Sequence, residues 1–384
     1  MPPGSIPARA PDRSPVARLW VLTGELGISR EIVTVFLASR ALVVLAALVA
    51  EYVIPRNPAL TSGASGPILR SLTSWDGWWY LGIAHGGYHA EPIVGAYRDV
   101  AFLPLYPILV GVLSLPWPAF TGLVAVIVSN LAFLLALGLL VRLGEPYLGR
   151  PTATVAAGLL AVYPFASVFA MAYTESLFLL LGVAAFLASE RRHRGWASVF
   201  LALAVLARFQ GVALALPLWI IFLRQDAWRP RRSHLLLLLG PAAAAGWLAF
   251  VFLLLGASAS YVDVLDAWGR SGLGTAAATE TVGAKLSIYQ VALLASLCWS
   301  VFLLVFVRTD RLRPEYWLVP VLFLASALAS GTLESIGRYS VAAFPLVWLL
   351  AGRGSTLARL GWPIVSTGLF FVIATLTFGG YWVP

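Results

Sequence analysis

Between residues 75 and 88 the chain reads Trp75-Asp76-Gly77-Trp78-Trp79-Tyr80-Leu81-Gly82-Ile83-Ala84-His85-Gly86-Gly87-Tyr88. One carboxylate, Asp76, stands among five large aromatic residues. The flat C–H faces of a sugar pack on aromatic rings, and its hydroxyls need carboxylates. The run therefore suits a base held against a sugar-binding wall. An interfacial amphipathic helix with an incidental acid explains the same residue types equally well. Asp99, beside Arg98, closes this stretch just before Ala101-Phe102-Leu103-Pro104-Leu105-Tyr106-Pro107. Further along, Tyr173-Thr174-Glu175-Ser176 opens an apolar segment. Glu175 there is either a helix N-terminal acid favoured by the dipole, with Thr174 as cap, or a functional acid at membrane depth.

Arg208 and Arg338 are the matching cations. A guanidinium grips phosphate in a bidentate fork, whereas a lipid-facing arginine only snorkels to headgroups. Glu334 lies four residues before Arg338, at the spacing of a simple helix pair. His85 and His89 are also four apart but read as surface residues. No His/Cys cluster indicates a metal, although Asp99 and Glu175 leave room for a divalent ion.

What must position these residues is a lipid-embedded scaffold. Of 384 residues 60% are hydrophobic and 11% charged, and the mean hydropathy is +0.86. Soluble domains carry about 25% charged residues, so the solvent of this chain is largely lipid. The net charge of +9 does not mark a nucleic-acid binder. Its arginines sit in short clusters between apolar runs, the pattern of cytoplasmic loops. The lone Cys298 excludes an internal disulfide.

Apolar segments at Ile32–Ile54, Ala119–Leu143, Thr152–Ala170, Thr174–Ser189, Leu235–Leu255, Leu286–Val307, Tyr316–Ser330, Tyr339–Ala351 and Trp362–Phe378 read as crossings. The first carries no cleavage pattern and reads as a retained helix. Charge settles how to read 197–223. The clusters at Arg191-Arg192-His193-Arg194 and at Arg224, Arg229, Arg231 and Arg232 should share the cytoplasmic side. A single crossing would separate them, so the segment is expected to be a hairpin with Arg208 at its outer tip. This topology puts 18 basic residues inside against seven outside, with Arg40 inside the first helix. It predicts about eleven crossings, with 101–115 a re-entrant or interfacial helix broken by Pro104 and Pro107. Residues 1–30 form a cytoplasmic tail and 31–384 one transmembrane domain, with 55–100 and 257–285 as long outer loops. A transporter or flippase would also explain the helices, but no internal repeat supports it.

Taken together, Trp75-Asp76, Tyr80, Ile83-Ala84, Gly87-Tyr88, the 101–107 run, Tyr173-Thr174-Glu175-Ser176-Leu177-Phe178, Arg208 to Gly211 and Gly337-Arg338-Tyr339 with Phe344-Pro345 resemble the PIG-V-like mannosyltransferases. Order and rough spacing agree over about residues 30–350. Leu103 stands where that family usually has a second Phe, and Ser74 where a basic residue is common. The resemblance implies a GT-C-type helical bundle in the membrane, its site on the non-cytoplasmic face of a bacterial plasma membrane. It also implies a polyprenyl-phosphate-mannose donor, an inverting reaction and a glycolipid or glycan acceptor. The GPI acceptor of the eukaryotic member is not carried over, and another GT-C sugar remains an alternative. In that scheme Asp76 is the base, and Arg208 and Arg338 hold the donor phosphate. Trp75, Tyr80, Asp99, Tyr106, Tyr173, Glu175, Gln210, Glu334 and Tyr339 bind substrate.

Overall fold

The computed structural model describes residues 26–58, 60–256, 259–269, 288–306, 312–329, 336–352 and 356–381. Glu334, Arg270, Lys285 and most of the expected 1–30 tail lie outside the described residues.

The described chain is a helical bundle. Four helices are long and apolar enough to cross a membrane: Arg30–Tyr52, Pro118–Leu148, Arg232–Leu255 and Gly361–Gly379. Shorter apolar helices fill the space between them. The protein is an integral membrane protein. Helix α1 is Arg30–Tyr52, opened by Ser29, whose hydroxyl accepts from the Ile32 amide. Short helices α2 (Pro67–Leu72), α3 (Asp76–Gly86) and α4 (Leu105–Ser114) follow. At about 15 Å, α4 is too short to span the hydrocarbon alone. It packs against α3 and the next helix. Pro104 and Pro107 do not break it as expected. They occupy its cap and first turn, where an amide proton has no intrahelical partner to lose.

Helices α5 (Thr121–Leu148), α6 (Arg150–Ala161), α7 (Glu175–Glu190), α8 (Arg194–Ala207) and α9 (Ala215–Gln225) form the centre. Helix α5 buries Ala125, Ser129, Ala132, Phe133, Ala136 and Leu140 along one stripe. Small residues there let backbones approach closely, which drives helix association in lipid. Helix α7 is buried nearly all round, packed on α5 and α8. A helix apolar on every face belongs in the interior, and α7 carries Glu175 at its first position. The remaining helices are α10 (Leu239–Leu255), α11 (Tyr261–Ala267), α12 (Ile288–Phe306), α13 (Pro314–Ala329), α14 (Ile336–Ala342), α15 (Pro345–Ala351) and α16 (Thr356–Gly379). Helix α16 packs on α1.

The α8–α9 pair has the geometry expected of the hairpin. A 3-10 turn, Phe209–Leu214, joins the two helices. A Cβ on Gly211 would sit 2.6 Å from Val205 N, so only glycine lets the turn fold back on α8. At the opposite end the two arginine clusters meet. Arg194 reaches Asp226 at 2.8 Å, and Arg192 donates to Gln225 O at 3.4 Å. Arg224 lies 3.3 Å from Glu190 and 2.8 Å from Glu315 of α13. Asp226 also takes His234 at 2.8 Å, and the adjacent Arg194 holds its carboxyl well below the usual carboxylate range. The two clusters thus share one end of the bundle, and Arg208 is at the other.

Candidate active site

Four segments remote in sequence converge at the Arg208 end. Helix α3 begins at Asp76, presented by Trp75 at φ 57°, ψ −126°. A bulky residue rarely adopts a positive φ, and such strain persists only where the surroundings enforce it. The Trp75 indole Nε1 donates to Thr377 O of α16 at 2.9 Å, which supplies the hold. The Asp76 amide then donates to Tyr173 Oη at 3.1 Å.

Glu175 opens α7. The preceding Thr174 does not cap the helix with its side chain; its hydroxyl donates to Ala207 O at 3.0 Å. That bond ties the start of α7 to the end of α8, next to Arg208. Arg208 Nη1 bonds Glu175 Oε1, and Arg208 Nε donates to Gln210 Oε1 at 3.2 Å. From α14, Arg338 Nη1 bonds Asp76 Oδ2 and lies 3.5 Å from Glu175 Oε1. The Arg338 guanidinium also lies 5.9 Å from the Tyr173 ring centroid, and that of Arg208 lies 6.0 Å from Tyr339. Gly337 leaves room for the Phe165 ring, which packs where a Cβ would stand.

The quartet Asp76, Glu175, Arg208 and Arg338 is thus two acids and two cations in alternation. The Glu175 and Arg338 side chains are 1% and 7% exposed, and that of Asp76 is 19% exposed. Glu175 Oε2 and Arg338 Nε are buried without a hydrogen-bond partner among the described residues. Such atoms are costly unless a bound group satisfies them.

A cavity of about 280 Å³ opens over the quartet, lined by Asp76, Tyr80, Phe102, Arg208, Gln210, Tyr261, Arg338 and Tyr339 among others. Of the residues expected from sequence, Asp76, Tyr80, Arg208, Gln210, Arg338 and Tyr339 line it, and Tyr173 and Glu175 bond its walls from behind. Three do not reach it. The Trp75 ring turns away to α16. Tyr106 is fully buried, with its hydroxyl 2.9 Å from Ala125 O and 2.8 Å from Ser129 Oγ. Asp99 is buried with its carboxylate on His89, taking the backbone amide at 3.1 Å and Nδ1 at 2.8 Å. His85 meanwhile bonds Leu81 O at 2.9 Å, so the two histidines do not converge. Among the described residues no group of three His, Cys, Asp or Glu side chains gathers to hold a metal.

Phe102, Phe209, Tyr261 and Leu265 also line the cavity and were not among the expected site residues. Phe102 lies in the motif run 101–107 and was passed over. Tyr261 and Leu265 come from α11 in the second outer loop, where only loop length was a signal. Beside the cavity runs an apolar groove of about 480 Å³, lined by Ile83, Tyr88, Pro104, Ile108, Trp247 and Phe250 among others. Its Pro104 and Leu206 are chain neighbours of Leu103 and Ala207 in the cavity wall.

The bundle is similar to ArnT from Cupriavidus metallidurans, solved with undecaprenyl phosphate. The TM-score is 0.54 at 16% identity, covering 87% of this chain and 62% of that one. An Archaeoglobus fulgidus oligosaccharyltransferase, solved with a tethered acceptor peptide, aligns with TM-score 0.45 at 12% identity, over 91% of this chain and 56% of that one. The chain therefore spans less than two thirds of the length of either protein. No curated protein matches it. The fold is that of the GT-C membrane glycosyltransferases. More narrowly, the profile described as Mannosyltransferase (PIG-V) matches residues 31–224, just over half of the sequence, and the chain belongs to that family.

Proposed function

We propose that the protein transfers mannose, with inversion, from a polyprenyl-phosphate-mannose donor to a lipid- or glycan-linked acceptor on the outer face of the membrane. The observation that carries this reading is the convergence of Arg208 and Arg338 with Asp76 and Glu175 at one cavity. Small-ligand sites run about 300–1,000 Å³, so this cavity suits a single hexose with its phosphate. The adjoining groove suits an isoprenoid chain, which needs apolar walls and no hydrogen bonds.

In one displacement the acceptor oxygen bonds the anomeric carbon while the bond from that carbon to the phosphate oxygen breaks. Asp76 takes the acceptor proton, and the phosphate leaves with the electron pair. Arginines stabilise the charge that develops on it. Arg338 bonds Asp76 in the ligand-free site, and an entering phosphate competes for that guanidinium. Donor binding in this way frees the carboxylate to act as base. Glu175, behind the cavity wall, holds Arg208 and approaches Arg338. On the expected eleven crossings the site faces outside, and Asp99 contributes by anchoring, through His89, the segment that leads into Ala101, Phe102 and Leu103 of the cavity wall.

The test is incubation of membranes holding the full chain with labelled polyprenyl-phosphate mannose, followed by product analysis. The expected result is a mannosylated acceptor of inverted configuration, absent with Asp76→Asn. Transfer from another polyprenyl-linked sugar alone would reassign the donor, and no transfer from any would sink the reading.

A further inference from the structure

One partly buried cation takes no part in this chemistry. Arg40 lies in α1, about 15 Å from its first residue, at a depth where a guanidinium is costly. Its group lies over the adjacent rings of Phe36 and Phe133, 5.1 and 5.0 Å from their centroids. Nε and Nη2 are buried without hydrogen-bond partners among the described residues. Nη1 donates to Asn130 Oδ1 of α5, at 2.9 Å.

That bond has a consequence for Asn130. Arginine carries only donors, so the Asn130 oxygen must face Arg40 and the amide nitrogen must face away. The nitrogen donates to Val126 O at 2.7 Å and to Ala170 O at 3.2 Å. The preceding residue, Ser129, donates to Tyr173 O at 3.0 Å and is itself bonded by Tyr106. Two adjacent residues of α5 therefore hold both ends of segment 170–173. This segment carries Tyr173, which receives the Asp76 amide, and it runs directly into Glu175. Ala172 is tied from the other side, its amide donating to Leu72 O at 2.7 Å.

We propose that Arg40, acting through Asn130, is a positioning residue of the transfer reaction: it locks the amide so that Asn130, with Ser129, clamps the 170–173 segment that delivers Tyr173 and Glu175. The proposal rests on the reading of Asp76 and Glu175 as the reaction centre. A partly buried cation that does not line the cavity thus sets the registry of the site.

The two links in this relay can be cut separately. Asn130→Asp keeps an acceptor for Arg40 and converts the contact to an ion pair, but it removes the donor to Ala170 O. Arg40→Gln can donate or accept, so it leaves the amide orientation open. The full chain in lipid nanodiscs is measured for amide hydrogen exchange and for steady-state transfer. Asn130→Asp should speed exchange across 170–175 and lower kcat by about 10²-fold, the scale of an ångström misplacement, with donor KM changed less. Arg40→Gln should do the same more weakly. Exchange across 170–175 that matches wild type in both variants overturns the clamp. Faster exchange with unchanged kcat overturns the positioning role. A wild-type protein that transfers nothing from polyprenyl-phosphate mannose defeats the proposed function instead, and exchange still decides the clamp.

Discussion

Asp76→Asn separates the two parts this carboxylate plays. In the structure its Oδ2 bonds Arg338, so the substitution leaves that buried guanidinium with Glu175 alone, at 3.5 Å and already shared with Arg208. Removing one partner of a buried pair costs about 3–5 kcal/mol. Asp76 is partly exposed and Glu175 remains, which brings the loss down to about 2 kcal/mol, within the range for a charged hydrogen bond. At about 2 °C per kcal/mol for a chain of this size, the thermal midpoint in nanodiscs should fall by about 4 °C. Turnover should fall far more, by about 10²–10⁴-fold, the scale of general-base catalysis. Donor binding should persist, because Arg208 and Arg338 remain. Adding Arg338→Gln to Asp76→Asn removes the uncompensated cation. The double variant should regain most of the thermal midpoint and none of the turnover. A folded Asp76→Asn protein with near-normal turnover would refute the base assignment and pass the role to Glu175, since Asp99 is occupied with His89. A double variant no more stable than the single one would refute the ion-pair arithmetic.

Arg208→Lys and Arg338→Lys keep charge but lose the fork, and each should lower kcat/KM by about 1–3 kcal/mol in initial-rate assays. Gly211→Val forces a side chain against the α8 backbone and should lower the thermal midpoint through overpacking of about 1–3 kcal/mol. Asp226, its carboxyl held below the usual range by Arg194, contributes stability above about pH 4 that is lost as pH falls through its folded-state value. Asp226→Asn should therefore flatten the acid limb of thermal midpoint against pH. Reporter fusions near Arg192 and Arg231 should both read cytoplasm, and opposite sides would undo the hairpin orientation.

The scaffold was legible wherever lipid imposes a rule. Basic clusters around 191–194 and 224–232 had to share a side, and that alone folded 197–223 into the hairpin with Arg208 at its tip. The aromatic run picked out Asp76 and Tyr80, and charge at membrane depth or at helix ends picked out Glu175, Arg208 and Arg338, because burying such groups in lipid without use is costly; Tyr339 came only with the family resemblance. Pairing was not legible. Nothing local says that Arg338 bonds a carboxylate 262 positions away. Nor does the Trp75-Asp76 pair announce that the indole faces α16 and the carboxylate faces the cavity. Asp99 has the right type and depth, yet a histidine ten residues back takes it. Tyr261 was missed because a short helix in a long loop leaves no periodic signal.

The seating of Trp75 on Thr377 also bears on how the site is assembled. Membrane helices leave the ribosome in order, and α16 follows every other described helix. Until it is inserted, the indole has no carbonyl to grip, and the strained backbone that aims Asp76 has nothing to enforce it. The same helix end receives the Asn57 amide, at 2.9 Å on Gly379 O, so the loop leading to Asp76 is tied to it twice. Under the proposed function, the nascent chain therefore has its arginines in place before Asp76 is aimed. Ribosome-tethered chains stalled before residue 377 emerges should bind polyprenyl phosphate without transferring sugar.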